Sequence, residues 1–253
     1  MDRLTGKRSG VDYVQSDISA DVVYGNVSCV PTRTGQWTEA GPHPGMVTIW
    51  LSQSIPNCLL NSAHKGNLVQ FTVSKDIPSL TNYLKTSCSL ISVCIGKFFT
   101  KLKKDYPNKF VDLHFHTFQA PVLQMTPGQT LINTTFAVDL HINPREQNPD
   151  VLARLILTSN AVIEPFINGT KLVANINGTT VEAKEDFSKI GDVSKLFLSM
   201  FDKIFTVTSN VIVEALLHNG IPLPIIDNVT IANTTEIHLF DEYVRLNIDF
   251  EYE

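Results

Sequence analysis

Gly220-Ile221-Pro222-Leu223-Pro224 is the stretch on which the reading of this chain turns. Glycine just past a helix, with prolines two and four residues further on, is a stop signal with a physical basis. Glycine accepts the left-handed conformation that ends a helix, and proline cannot continue one. Upstream, Val193, Phe197, Met200, Phe201, Ile204, Val207, Val211 and Ala215 recur at helical spacing, with Leu196, Phe205, Ile212 and Leu216 widening the stripe. The spacing predicts a helix over 193–218, with a kink at the β-branched run Thr206-Val207-Thr208. Downstream, two strands are predicted over 228–239 and 244–252. In the second, Val244, Leu246, Ile248 and Phe250 alternate with Tyr243, Arg245, Asn247 and Asp249, as in half-buried sheet.

The same signals organise the rest of the chain. Residues 1–45 are polar and close on Gly41-Pro42-His43-Pro44-Gly45, so they read as an extended lead-in or linker to one domain over 46–253. That domain opens with a strand over 46–52, a short helix over 54–64 and a strand over 67–74. A helix over 91–105 is stopped by Pro107, and strands at 110–117, 122–126 and 134–141 are separated by Pro/Gly turns. A long strand over 151–167, bulged at Ser159-Asn160, leads into Asn168-Gly169 and Asn177-Gly178. Both dipeptides read as hairpin turns around strands at 171–176 and 179–184. Long antiparallel strands interrupted by a few amphipathic helices define an α+β domain.

Composition narrows the function. At 253 residues and 43% hydrophobic the chain can bury a large core, and 18% charged residues is not the signature of disorder. A formal charge of −5 argues against nucleic acid as a partner and against a strongly cationic, membrane-killing molecule. No run approaches the ~20 apolar residues of a membrane-spanning helix. No nucleophile elbow, His-Glu-X-X-His, phosphate loop or paired-carboxylate pattern is present, so neither an enzyme nor a cofactor is expected. His114 and His116 share one face of a strand and could both reach a metal, but with Asp112 they fit a polar outer face better.

The quoted turn and its two strands resemble the C-terminus of the bactericidal/permeability-increasing protein family, which includes the lipopolysaccharide-binding proteins and the plasma lipid-transfer proteins. Met46-Val47-Thr48-Ile49-Trp50-Leu51-Ser52 is similar to the strand that opens the family's C-terminal barrel. The run 97–107, KFFTKLKKDYP, with Asn108 and the following strand, is similar to its helix, Pro-Asn turn and strand. The resemblance covers 46–253, the C-terminal half of a full-length member. It implies a super-roll lipid-binding barrel, a long, highly curved antiparallel sheet wrapped around amphipathic helices. It also implies an apolar slot between helices and sheet that holds acyl chains of phospholipid or a lipopolysaccharide-like lipid. The walls would be Ile55, Leu59 and Leu60 on the first helix and Ile95, Phe98, Phe99 and Leu102 on the next. The last helix would add Phe197, Met200, Phe201, Ile204, Phe205, Val207, Val211 and Ala215. Implied roles are lipid transfer or innate immune recognition, with transient contact to a membrane or lipoprotein surface. Lys97, Lys101, Lys103 and Lys104 form a basic face, either simply solvated or turned to phosphate headgroups. The alternative is a glycosylated interaction or structural module with a fully packed barrel.

Six Asn-X-Ser/Thr sequons, at Asn26, Asn133, Asn168, Asn177, Asn228 and Asn233, exceed the two or three expected by chance. The polar start of the chain carries no apolar signal region, so a secreted glycoprotein is expected whose signal lies in a preceding part. Cys29, Cys58, Cys88 and Cys94 permit three paired connectivities, or buried free thiols. Cys88 and Cys94 can bridge only if they do not both sit on one helix, where side chains six residues apart diverge.

Overall fold

The structure, a computed structural model, describes residues 3–8, 11–16, 21–24, 26–32, 45–89, 91–192, 194, 197, 198, 201, 220–223, 229–232 and 234–252. Strands β1 (Arg3–Arg8) and β2 (Val11–Ser16) form one hairpin, and β3 (Val22–Tyr24) and β4 (Val27–Cys29) another. The chain then carries β5 (Val47–Ser52), α1 (Ser54–Lys65), β6 (Gln70–Val73), a 3-10 turn (Ile95–Lys97) and α2 (Thr100–Asp105). Four long strands come next, β7 (Val111–Thr126), β8 (Gln129–Ile142), β9 (Ala153–Asn168) and β10 (Lys171–Ser188). The chain finishes with β11 (Ile221–Pro222), β12 (Val229–Ile231), β13 (Glu236–Phe240), β14 (Tyr243–Ile248) and β15 (Phe250–Tyr252).

The main sheet is antiparallel, in the order β11-β10-β9-β8-β7-β6. Its centre is the β8–β9 pair, which runs without a register shift from Leu140↔Ala153 to Thr130↔Ile163. Side chains alternate along a strand, so this unbroken register places Ile132, Phe136, Val138, Leu140 and Ile142 on one face with Ala153, Leu155, Leu157, Ala161 and Ile163. All of these residues are buried. The sheet is open rather than a closed barrel, with β6 and β11 as its outer strands among the described residues.

Where the chain differs from the sequence reading, the sheet has overridden local turn signals. The strands expected at 110–117 and 122–126 are one strand, β7, with register shifts between Thr117 and Val122. Pro121 falls in that irregular stretch, where a residue without an N–H breaks no ladder bond. Asn177-Gly178 is not a hairpin turn. β10 runs straight through it, paired to β9 on both sides, and Asn177 is the extra residue of a bulge between Ile176 and Gly178. The bulge expected at Ser159-Asn160 is absent, because both residues keep regular partners on β8 and β10. The expected helix over 91–105 is broken into the 3-10 turn and α2. Phe99, between them, is extended, and Gly96 lies so close to Thr86 that an added Cβ would stand 1.7 Å from the Thr86 carbonyl oxygen. Cys94 is extended too, and it is bonded to Cys88, while Cys29 is bonded to Cys58. The second bridge ties the β3–β4 hairpin to α1.

A second layer forms from the end of the chain. β14 pairs with β13 on one edge and with β5 on the other, in the order β13-β14-β5, and β12 pairs with β15. Of the helix expected over 193–218, Phe197, Leu198 and Phe201 are helical, and the Ser194 hydroxyl accepts the Phe197 N–H at 3.2 Å as an N-cap does. Val193, Met200, Ile204, Phe205, Val207, Val211 and Ala215 lie outside the described residues. Gly220 adopts φ +59°, and Ile221-Pro222 then adds to the edge of β10 instead of leading directly into the last strands.

Gly220 and Gly169 share φ +59°, yet an added Cβ at Gly220 meets Val173 Cγ1 at 2.7 Å, whereas nothing lies within 4 Å at Gly169. Gly169→Ala is therefore expected to cost about 1 kcal/mol, the left-handed penalty alone. Gly220→Ala should cost about 2–4 kcal/mol, because the side chain must also displace β10. Urea unfolding of the two variants measures the difference, and equal losses would contradict the close approach.

Candidate functional site

Two apolar clusters line the inner face of the main sheet. The first is roofed by the 3-10 turn and α2, which bring Ile95, Phe99 and Leu102 down onto the sheet together with helical Phe197 and Phe201. Each of these five is at most 1% exposed. An aromatic ladder runs through them. Phe197 meets Phe99 at 4.9 Å and Phe98 at 5.8 Å, Phe201 meets Phe197 and Phe115 at 6.1 Å each, and Phe115 stacks on Phe71 at 4.6 Å. Such edge and offset contacts add about 0.5–1.5 kcal/mol per pair to area burial. Of the residues expected to wall a slot, Ile95, Phe98, Phe99, Leu102, Phe197 and Phe201 are thus brought together, in a closed core.

The second cluster occupies the other half of the same face. Leu123, Met125, Ile132, Ile163 and Leu172 of the main sheet pack against Val244, Leu246 and Ile248 of β14. Around this buried centre lies a half-buried aliphatic fringe, including Leu51, Leu60, Ile167, Ile176, Ile237 and Leu239. Leu60 is the expected wall residue that joins this cluster, while Leu59 is exposed and Ile55 is half-buried outside both. A polar belt separates the halves. Thr134 pairs with Ser159 in register, and Thr117 Oγ1 bonds His64 Nδ1 of α1 at 2.7 Å. Beyond β6 the edge of β7 is held by α1, where Asn57 both donates to the Leu123 carbonyl at 2.9 Å and accepts its N–H at 2.7 Å. The walls of this cluster are strand residues. Their alternation is readable in the sequence, but the resemblance directed the search to helices.

The opposite face of β7, β8 and β9 carries a buried polar layer. Asp139 accepts two bonds from Arg154, at 2.6 and 2.9 Å, and lies 3.3 Å from His116 Nε2. Burial alone would raise the Asp139 carboxyl, but the Arg154 and His116 contacts outweigh it and hold it below the usual range. Arg145 Nη1 donates to His114 Nδ1 at 3.1 Å, so that nitrogen is the acceptor and the ring proton sits on Nε2. Burial pushes His114 down to about 4, helped by the Arg145 charge and His116, and burial likewise lowers His141. His114 and His116 do share a face, as expected, with His114 buried and His116 half-buried. Arg145 engages one ring nitrogen of His114 and Asp139 one of His116, and no group of three potential ligands stands together among the described residues.

This architecture matches the crystal structure of lipopolysaccharide binding protein, with a TM-score of 0.54 at 16% identity, over 88% of this chain and 48% of that one. The chain is a sheet-dominated α+β domain of that fold and spans about half the length of the matched protein. It belongs to the LBP / BPI / CETP family, C-terminal domain, whose model matches residues 13–252. No curated protein sequence matches it.

The buried histidines set a pH dependence. The unfolded chain takes up a proton at His114 near 6.5, whereas the folded chain resists until about 4. Across that window the unfolded state binds more protons, so stability is full above it and falls as the pH drops through it. His114→Gln keeps an acceptor for Arg145 and removes the titration. Urea midpoints measured across the same window should therefore decline less steeply for H114Q than for the unsubstituted chain. Parallel declines would show that His114 does not contribute.

Proposed function

We propose that this chain is a non-enzymatic lipid-binding domain that holds acyl chains of phospholipid or a lipopolysaccharide-like lipid against the second apolar cluster, needing no cofactor. The observation that carries this reading is the contrast between the two clusters. Among the described residues, nine half-buried apolar side chains surround the twenty-one buried residues of the first, which interlocking aromatics fill, whereas the second has as many half-buried side chains as buried ones, ten of each. Family members bind or transfer lipid and are not enzymes, which supports the same reading. Each methylene moved from water onto this surface contributes about 0.8 kcal/mol, so two acyl chains are held firmly without a specific headgroup contact.

Secretion and glycosylation belong to the same proposal. Asn26, Asn133, Asn168 and Asn177 are all exposed, as a glycan acceptor must be, while Asn228 and Asn233 lie outside the described residues. Two disulfides fit an oxidising compartment. Family members are typically secreted. The closed aromatic cluster favours the second reading, a packed and glycosylated interaction module, and the lipid content of the protein separates the two.

The test is lipid extraction and mass spectrometry on chain secreted from eukaryotic cells, with Leu60→Trp and Ile176→Trp beside it. Co-purifying phospholipid is expected in the parent, with clear loss in both variants and an almost unchanged melting temperature, because the added rings take ligand space. If instead the variants lose about 1–3 kcal/mol of stability while lipid content is unaltered or absent throughout, the cluster is ordinary core and the module reading stands.

A further inference from the structure

Net charge conceals a strong separation of charge along this chain. Residues 75–109 carry seven lysines against two aspartates, +5, in a chain whose total is −5, so the remainder carries −10. The same segment contains the loop 88–94, closed into a small ring by the Cys88–Cys94 disulfide. Ile91 is 97% exposed and Val93 49% exposed on this ring. A single exposed aliphatic residue needs no explanation, but two on one covalently closed loop, amid lysines, do.

The base of the ring is buried and hydrogen-bonded. Cys94, Gly96 and Thr86 are buried, the Gly96 N–H donates to the Lys85 carbonyl at 3.1 Å, and the Thr86 N–H donates to the Lys109 carbonyl at 3.0 Å. These bonds bring the backbones of Lys85 and Lys109 to the foot of the loop. Lys75 Nζ stands 5.7 Å over the ring of Phe110, which is bridged to Lys85. Lys101, Lys103 and Lys104 project from α2, exposed, a few residues beyond Cys94. The loop helps line a surface groove of about 890 Å³, together with Asn82, Tyr83, Lys85 and Asn108, and no carboxylate stands in its wall among the described residues. Hydroxyl, amide and ammonium donors around such a groove suit a phosphate-bearing headgroup.

We propose that the loop 88–94 and the lysines around its base form a docking surface for an anionic phospholipid bilayer, with Ile91 and Val93 entering the interface. A short apolar insertion and a basic patch are each weak membrane signals and are effective together. Each lysine brought to an anionic surface tightens binding roughly fivefold, and salt weakens that part. The proposal rests on the lipid-binding reading for its purpose. Its chemistry is separate, since Ile91, Val93 and the exposed lysines belong to neither apolar cluster.

The test is co-sedimentation of the whole chain with phosphatidylcholine vesicles, with and without about 30% phosphatidylglycerol, at low and high salt. Ile91→Asp and the double variant Lys101→Glu/Lys104→Glu are compared with the parent. The parent is expected to bind the anionic vesicles at least about tenfold more tightly than the neutral ones. Ile91→Asp should weaken this at least about tenfold, and the part due to the lost apolar insertion should persist at high salt. The lysine double variant should weaken it at least as much and flatten the salt dependence. All three changed residues are exposed, so melting temperatures should match the parent. Equal binding to both vesicle types, or binding indifferent to both variants, would overturn the docking surface. Co-purified lipid measured on the same samples keeps the outcomes apart, because loss of vesicle docking with retained lipid leaves the carrier reading standing.

Discussion

The structure depends on one constraint, the unbroken antiparallel register between β8 and β9. Because the side-chain period of a strand is two, a slip of one residue would turn Phe136, Val138 and Leu140 to the face opposite Leu155 and Leu157. Both apolar clusters are read from this single pairing. The first takes the end of the strands near Leu140 and Ala153, the second the end near Ile132 and Ile163. Bulges are kept to the outer pairs, β7–β8 and β9–β10, where an extra residue bends a strand without disturbing the central register.

The two ends of the sheet are covered differently. Near Leu140 a broken helical segment and an aromatic ladder fill the space between sheet and cover. Close-packed interiors of this kind contribute stability and leave no room for a guest. Near Ile132 the cover is another sheet, β13-β14-β5, locked on through Met125, whose carbonyl accepts the Glu242 N–H and whose N–H donates to the Gln53 side chain. Two sheets meeting across a layer of branched aliphatic side chains leave an apolar seam with a half-buried rim, which suits a flexible hydrocarbon chain better than a rigid ligand. Charge is also divided along the chain, with cations concentrated in residues 75–109, which contain the disulfide loop, and the acidic excess in the remainder.

How much of this was legible in the sequence follows from where local and tertiary forces agree. The turn at Gly220, the helix α1 and the alternation of β14 were readable because backbone preference and burial point the same way. Asn177-Gly178 was misread because a dipeptide that closes hairpins in isolation becomes a bulge when a long partner strand continues alongside. The helix expected over 91–105 failed on Gly96, whose approach to Thr86 is a tertiary contact with no local signature. The family was legible from ordered motifs, but the wall of the candidate site was not. Its residues are spread over β7, β8, β9, β10 and β14, and only the sheet order brings them together.

The central claim is that acyl chains lie in the seam between the two sheets and not among the aromatics. The most direct measurement is photo-crosslinking of the folded chain loaded with a phospholipid bearing a diazirine near the acyl terminus, followed by peptide mapping. The account predicts adducts on the fringe of the second cluster, at residues such as Leu60, Ile176, Ile237 and Leu239. Adducts confined to the neighbourhood of Phe99, Phe115 and Phe197, or spread evenly over the surface, would contradict it.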